Sequence, residues 1–220
     1  MATGPTLELD PSVLEPLLER LNKGEVDALG SLFALYQAKL RRMVDLRLDP
    51  RLNGRVSASD VVQEAYIDAL KRVRHYIDKP EMPFYVWLRL IAGQRIVEVH
   101  RQHLGAKRRD AGQEVSIDRN GWAAASSACL AGQLAGAGPS PSSAAIRGET
   151  LGRLEAALEN LDPIDREVLA LRHFEELTNQ EVSEVLGIDK SAASKRYVRA
   201  LTRLKDVLAG LPGFSPESND

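Results

Sequence analysis

From about Val13 to Leu104, apolar residues recur at three- and four-residue intervals, the period of helices that bury one face. Breaks fall at Asn22 to Gly24, at Asp49 to Arg55 and at Lys79 to Pro83. In one predicted helix Val62, Ala65, Tyr66, Ala69, Leu70 and Val73 share a face, and Ser57 followed by Asp60 has the spacing of a capping box ahead of it. Pro83 suits the first turn of the next helix, where its missing N–H costs nothing. That helix runs through Phe84, Trp87, Leu88 and Ile91 towards Arg101, a spacing that predicts core positions and makes Trp87 a packed residue.

Between Gly105 and Ala145 the pattern fails, and Ala, Gly, Ser and Pro dominate. The period returns in Leu154, Leu158 and Leu161, followed by Asp162-Pro163, the cap and first turn of another helix. Thr178 and Glu181 then match a second capping box, Val182, Val185 and Leu186 supply an inner face, and Gly187 ends the helix. Ala193, Tyr197, Ala200 and Leu204 mark the buried stripe of a last helix. The expected fold is all-α: a helical domain over 12–104, a flexible linker over 105–145 and a helical domain over 146–210. As a flexible chain the linker has a root-mean-square span of roughly 35 Å and a full extension on the order of 130 Å. A short helix around Cys129 would shorten that reach.

Composition narrows what this fold can do. Hydrophobic residues make up 44% of the chain, enough for packed cores. A formal net charge of -2 and a pI near 6.1 offer no broad cationic field, so any nucleic-acid binding is local or assisted by a partner. Cys129 has no second cysteine to pair with, which excludes an intramolecular disulfide and points to the cytoplasm. Met1 to Pro11 lack the cationic start and apolar core of a signal peptide, and no membrane insertion is expected.

The last helix carries a second stripe of Ser191, Ser194, Lys195, Arg199 and Arg203. Such a stripe is either the solvated side of an amphipathic helix or a face for the major groove, where Arg and Lys donate to guanine edges or phosphate. The short capped helix and the glycine turn before it favour the groove. Enzyme chemistry finds little support. His100 and His103 stand three apart on one helix without clustered Cys or carboxylate to complete a metal site, Cys129 sits in a small-residue stretch and reads as a structural or incidental thiol, and phosphate-cradling or dinucleotide motifs are missing. Neither catalysis nor a cofactor is expected.

Leu177 to Arg203, with Thr178-Asn179-Gln180-Glu181-Val182 and Leu186-Gly187-Ile188, resembles region 4 of the sigma-70 family. Asp60-Val61-Val62-Gln63-Glu64 resembles region 2.2, and Pro83 to Ala92 resembles regions 2.3 and 2.4. With no recognisable region 3 between them, the resemblance is to the small extracytoplasmic-function subfamily, and the segment from Gly93-Gln94-Arg95 to His100-Arg101 also resembles its planctomycete members. It implies a sigma factor, which binds core RNA polymerase and directs it to bipartite promoter DNA. Residue by residue, the resemblance implies that Asp60, Gln63 and Glu64 dock on the polymerase and that Gln94, Arg95 and Arg101 contact the minus-ten element. The loop Lys79 to Pro83 falls where the family captures a flipped base. Ser191, Ser194, Lys195 and Arg199 fall on the minus-thirty-five reading helix, with Arg196 and Arg203 assigned to phosphate. Loss of Arg199 is thus expected to penalise one cognate base, and loss of Arg203 all sequences alike. Where housekeeping members carry paired tryptophans this chain has Leu90 and Ile91, which implies weaker melting and a narrower promoter set. The helix start Lys190-Ser191-Ala192-Ala193 departs from the common family pattern. The regulation open to such a factor is a separate anti-sigma protein, a kinase or transcription itself. An autonomous helix-turn-helix regulator would explain the C-terminal half equally well, but not the region 2 signatures.

Overall fold

The computed structural model describes residues 10–104, 125–136 and 144–209. The chain forms two compact units, one ending at Ala123 and the other beginning at Ala124, and no strand occurs among the described residues.

In the N-terminal unit, α1 (Pro11–Asn22), α2 (Ala28–Asp45), α3 (Ala58–Asp78) and α4 (Phe84–Leu104) surround one core. A 3-10 turn at Pro50–Leu52 links α2 to α3. The capping box at α3 is formed: the Asp60 N–H donates to Ser57 Oγ at 3.2 Å, and the Ser57 N–H donates to the Asp60 carboxylate at 2.9 Å. α2 packs on each of the other three, and α4 is the most deeply buried. Phe84 to Arg89 are all buried, so its first turns have no solvent face, and Ile91, Ala92, Ile96 and Val99 continue inward. Helix α4 starts at Phe84, and the Pro83 carbonyl accepts from the Trp87 N–H at 3.0 Å. Pro83 therefore caps the helix rather than occupying its first turn. Trp87 stacks on Tyr76 at 4.7 Å between ring centroids and lies 5.6 Å from Phe84. At Gly30 an added Cβ would stand 3.3 Å from the Tyr66 hydroxyl, so glycine lets α3 approach α2 and seats Tyr66 beside Phe33.

One core expectation fails. Leu70 is 42% exposed, as is its neighbour Ile67 at 47%. At 100° per residue, Leu70 has rotated off the line through Val62, Ala65, Ala69 and Val73 and joins the outer face of α3.

The C-terminal unit contains α5 (Ser127–Gly136), α6 (Ala144–Glu159), α7 (Pro163–Leu169), α8 (Asn179–Leu186) and α9 (Lys190–Ala209). Here the expected linker needs correction. Ala125, Leu130 and Ala131 are buried, α5 packs on α6, the Ala125 N–H donates to Glu167 at 3.0 Å, and Arg166 donates to Ser127 Oγ at 3.1 Å. Residues 125–136 are thus part of a folded unit: a low-complexity stretch buries small side chains and Leu130 once α6 and α7 provide a surface. The remainder of 105–145 lies outside the described residues, apart from the start of α6.

After α7 the backbone widens into a π-helical turn at Ala170–Phe174 and passes through a left-handed residue, Glu176 (φ 58°), before α8. The second capping box is also formed, with Thr178 and Glu181 exchanging hydrogen bonds of 2.7 and 3.2 Å. Gly187 (φ 63°) ends α8 in the left-handed region, with open space around its missing Cβ. Gly187→Ala meets no clash, only backbone strain, and is expected to destabilise this unit by about 1 kcal/mol. Thermal melting of the full chain checks this: the C-terminal transition moves down and the N-terminal one stays.

Candidate nucleic-acid interface

In the C-terminal unit the tight turn at Gly187 delivers α9 to the surface, its inner line of Ala193, Ala200 and Leu204 buried against α7, α8 and α6. Tyr197 is half-buried beneath the Arg172 guanidinium, which sits 5.3 Å from its ring. Ser191, Lys195, Arg199 and Arg203 are exposed and Ser194 is half-buried, so the polar stripe read from spacing exists. Lys195 and Arg203 make no ion pair among the described residues.

Arg196 and Arg199 are otherwise engaged. Arg199 donates from Nε and Nη2 to the two oxygens of Asp165 at 2.6 and 2.7 Å, and Arg196 donates to Asp165 from Nη1 at 2.7 Å. Asp162 stands 3.5 Å from Arg196. Burial alone would raise the Asp165 carboxyl, but the hydrogen bonds from Arg199 and Arg196 outweigh it and hold its pKa below the ordinary aspartate value. Arg199 is raised in turn, chiefly by its hydrogen bonds to Asp165. Arg199, expected to read a base, and Arg196, expected to hold phosphate, thus both donate to one buried carboxylate. Spacing puts both on α9, but only packing reveals the carboxylate that α7 presents to them.

The N-terminal unit presents two adjoining surfaces. On α3, Asp60, Gln63 and Glu64 are exposed, continued by Ile67 and Leu70. On α4, Gln94 and Arg101 are exposed and Arg95 is half-buried. Arg95 donates to Glu64, donates to Glu98 at 2.6 Å and lies 3.6 Å from Asp68, while Arg72 donates to Gln94 Oε1 at 2.6 Å. Arg95 is raised above its usual value, first by its hydrogen bond to Glu64. Residues expected to serve two different partners thus share one ion-pair cluster. The pairing was not legible because Glu64 and Arg95 are far apart in sequence and meet only when α3 packs on α4.

Between these helices, the loop Lys79 to Pro83 is pinned: Lys79 and Glu81 pair at 2.5 Å, and the Tyr76 hydroxyl donates to the Met82 carbonyl at 3.1 Å. His100 is buried, with its Nε2 accepting from the Asp49 N–H at 3.1 Å, whereas His103 is exposed. No group of three His, Cys, Asp or Glu side chains placed to hold a metal ion occurs among the described residues, and no helix there is long and apolar enough to cross a membrane.

Residues 12–209 match the family model described as ECF sigma factor. The chain belongs to the ECF sigma factor family. Among curated relatives, the sigma factor is 26% identical over 216 residues to ECF RNA polymerase sigma factor SigD of Mycobacterium tuberculosis, covering 96% of this chain and 93% of the relative. It is 27% identical over 202 residues to RNA polymerase sigma factor CarQ of Myxococcus xanthus, covering 88% and 97% of the two chains. Among solved structures, CnrH in complex with the cytosolic domain of CnrY has the same fold, with a TM-score of 0.51 and 20% identity over 89% of this chain and 97% of that one. The sigma factor accordingly works with core RNA polymerase and promoter DNA, directing promoter recognition and transcription initiation. Spacing overlooked one exposed residue on its α9: Val198, 60% exposed, stands on the outer line between Lys195 and Thr202. An apolar residue in a polar stripe is the signal that would have found it.

Proposed function

We propose that the two units divide promoter recognition between them. In the N-terminal unit, Asp60, Gln63 and Glu64 on α3 dock on a basic surface of core polymerase. Gln94, Arg95 and Arg101 on α4 contact the minus-ten element, and the pinned loop Lys79 to Pro83 borders the pocket for a flipped base. In the C-terminal unit, α9 enters the major groove of the minus-thirty-five element with Ser191, Ser194 and Lys195 foremost, and Arg203 holds phosphate. The observation that carries this reading is the capped α8, left-handed Gly187 and α9 with exposed Ser191 and Lys195 on one line and half-buried Ser194 beside them.

The sigma factor acts in the cytoplasm, contributes no catalytic group, and is held in check by a separate anti-sigma protein. Promoter elements in this family lie about 80 Å apart along B-form DNA, and the covalent chain of residues 105–124 reaches at most about 70 Å. Core polymerase sets the separation of the units, so the isolated protein binds promoters poorly. Run-off transcription by cognate core polymerase on genomic fragments tests the reading. The expected result is transcripts that require the protein and share upstream elements. No factor-dependent transcript with an active core, or tight binding of a symmetric operator by the isolated protein, would point instead to an autonomous regulator.

A further inference from the structure

Asp165 stands in the first turn of α7 with no exposed surface, and its carboxylate accepts three hydrogen bonds of 2.6 to 2.7 Å from two arginines of α9. A purely structural contact between α7 and α9 does not call for ions, since packed apolar side chains in place of all three members often hold such a contact as well. What the carboxylate adds is control over the two cations. It takes one donor edge of the Arg199 guanidinium, fixes the plane of that group, and with Asp162 balances the charge of Arg196 and Arg199. Both arginines are thereby drawn to the α7 flank of α9. The outermost line of the helix is left to Ser191, Lys195 and Val198, a short hydrogen-bonding group, a cation and an apolar side chain of the kind that contacts a thymine methyl.

We propose that Asp165 is a positioning residue that sets promoter specificity: it withholds Arg196 and Arg199 from the bases and so leaves minus-thirty-five readout to Ser191, Ser194, Lys195 and Val198. This rests on α9 being the minus-thirty-five helix. Factor-dependent transcription by the wild-type holoenzyme is therefore established first, and its failure counts against that reading alone.

The test measures holoenzyme affinity across a panel of single-base changes in the upstream element, for wild type, Asp165→Asn and Arg199→Gln. Asp165→Asn keeps the shape and removes the charge. The released arginines are expected to raise affinity for guanine at one or two upstream positions by about three-fold or more, with minus-ten preferences unchanged. The salt dependence, plotted as log affinity against log salt concentration, is expected to steepen by about 0.9 for each phosphate newly neutralised. A uniform loss across all upstream sequences with an unchanged salt slope overturns the proposal, because a merely structural clamp gives that result. Arg199→Gln decides independently should Asp165→Asn prove unfolded by circular dichroism. It is expected to keep the wild-type order of base preferences, and selective loss of preference for one base overturns the proposal.

Discussion

Trp87→Ala is expected to melt the N-terminal unit more than about 10 °C below wild type, a loss of about 3 to 5 kcal/mol. The ring is 8% exposed, stacked on Tyr76 and tilted against Phe84, and the mutation leaves a cavity in the middle of the aromatic cluster that joins α3 to α4. Near-ultraviolet circular dichroism with thermal melting of the full chain is the check. Trp87→Phe, which keeps a ring in the cluster, is expected to recover most of the stability and factor-dependent transcription together. A Trp87→Ala protein that melts like wild type but fails to open promoters would mean instead that the indole serves DNA.

Asp165→Ala is expected to destabilise the C-terminal unit by about 2 to 3 kcal/mol. The loss stays below that of a fully desolvated pair because both arginines keep a face in water, the Arg199 side chain being 50% exposed. Its pH dependence has a definite sign. The native Asp165 pKa lies below the unfolded value, so the carboxylate contributes its full stability above the ordinary aspartate range and loses it as pH falls through the depressed native value. Wild type should therefore out-melt Asp165→Ala by its largest margin near neutrality, and the margin should shrink below about pH 4. A margin that does not change with pH would mean that Asp165 contributes shape and not charge.

Together these predictions separate packing from recognition. Trp87 lies on the helix that carries the minus-ten candidates but belongs to the core, and Asp165 lies off α9 but accepts from two of its cations. Neither role follows from the position of the residue in a motif.

Much of the fold was legible in local chemistry. A capping box is a three-residue relation, so Ser57 with Asp60 and Thr178 with Glu181 could be read from adjacent letters and are formed. Asp162 caps α7 with a hydrogen bond of 2.9 Å to the Ile164 N–H, and Gly187 takes the left-handed conformation that ends α8, again because each depends on few neighbours. The stripe of α9 followed from a 3.6-residue period, whereas the first turns of α4 are buried on every side; on α3, Ala69 and Leu70 are adjacent in sequence, and the positions of α2 and α4 decide which of them turns inward.

The sequence by itself determined that the described residues are helical, without strands, and that the last two helices form a helix-turn-helix, since both reside in periodicity, caps and short motifs. Tertiary structure alone decided three things: that 125–136 packs as part of the C-terminal unit, that Glu64 and Arg95 share one cluster, and that Asp165 takes Arg196 and Arg199. Each depends on side chains brought together by packing from separate helices, and burial and charge compensation between such groups leave no trace in local spacing.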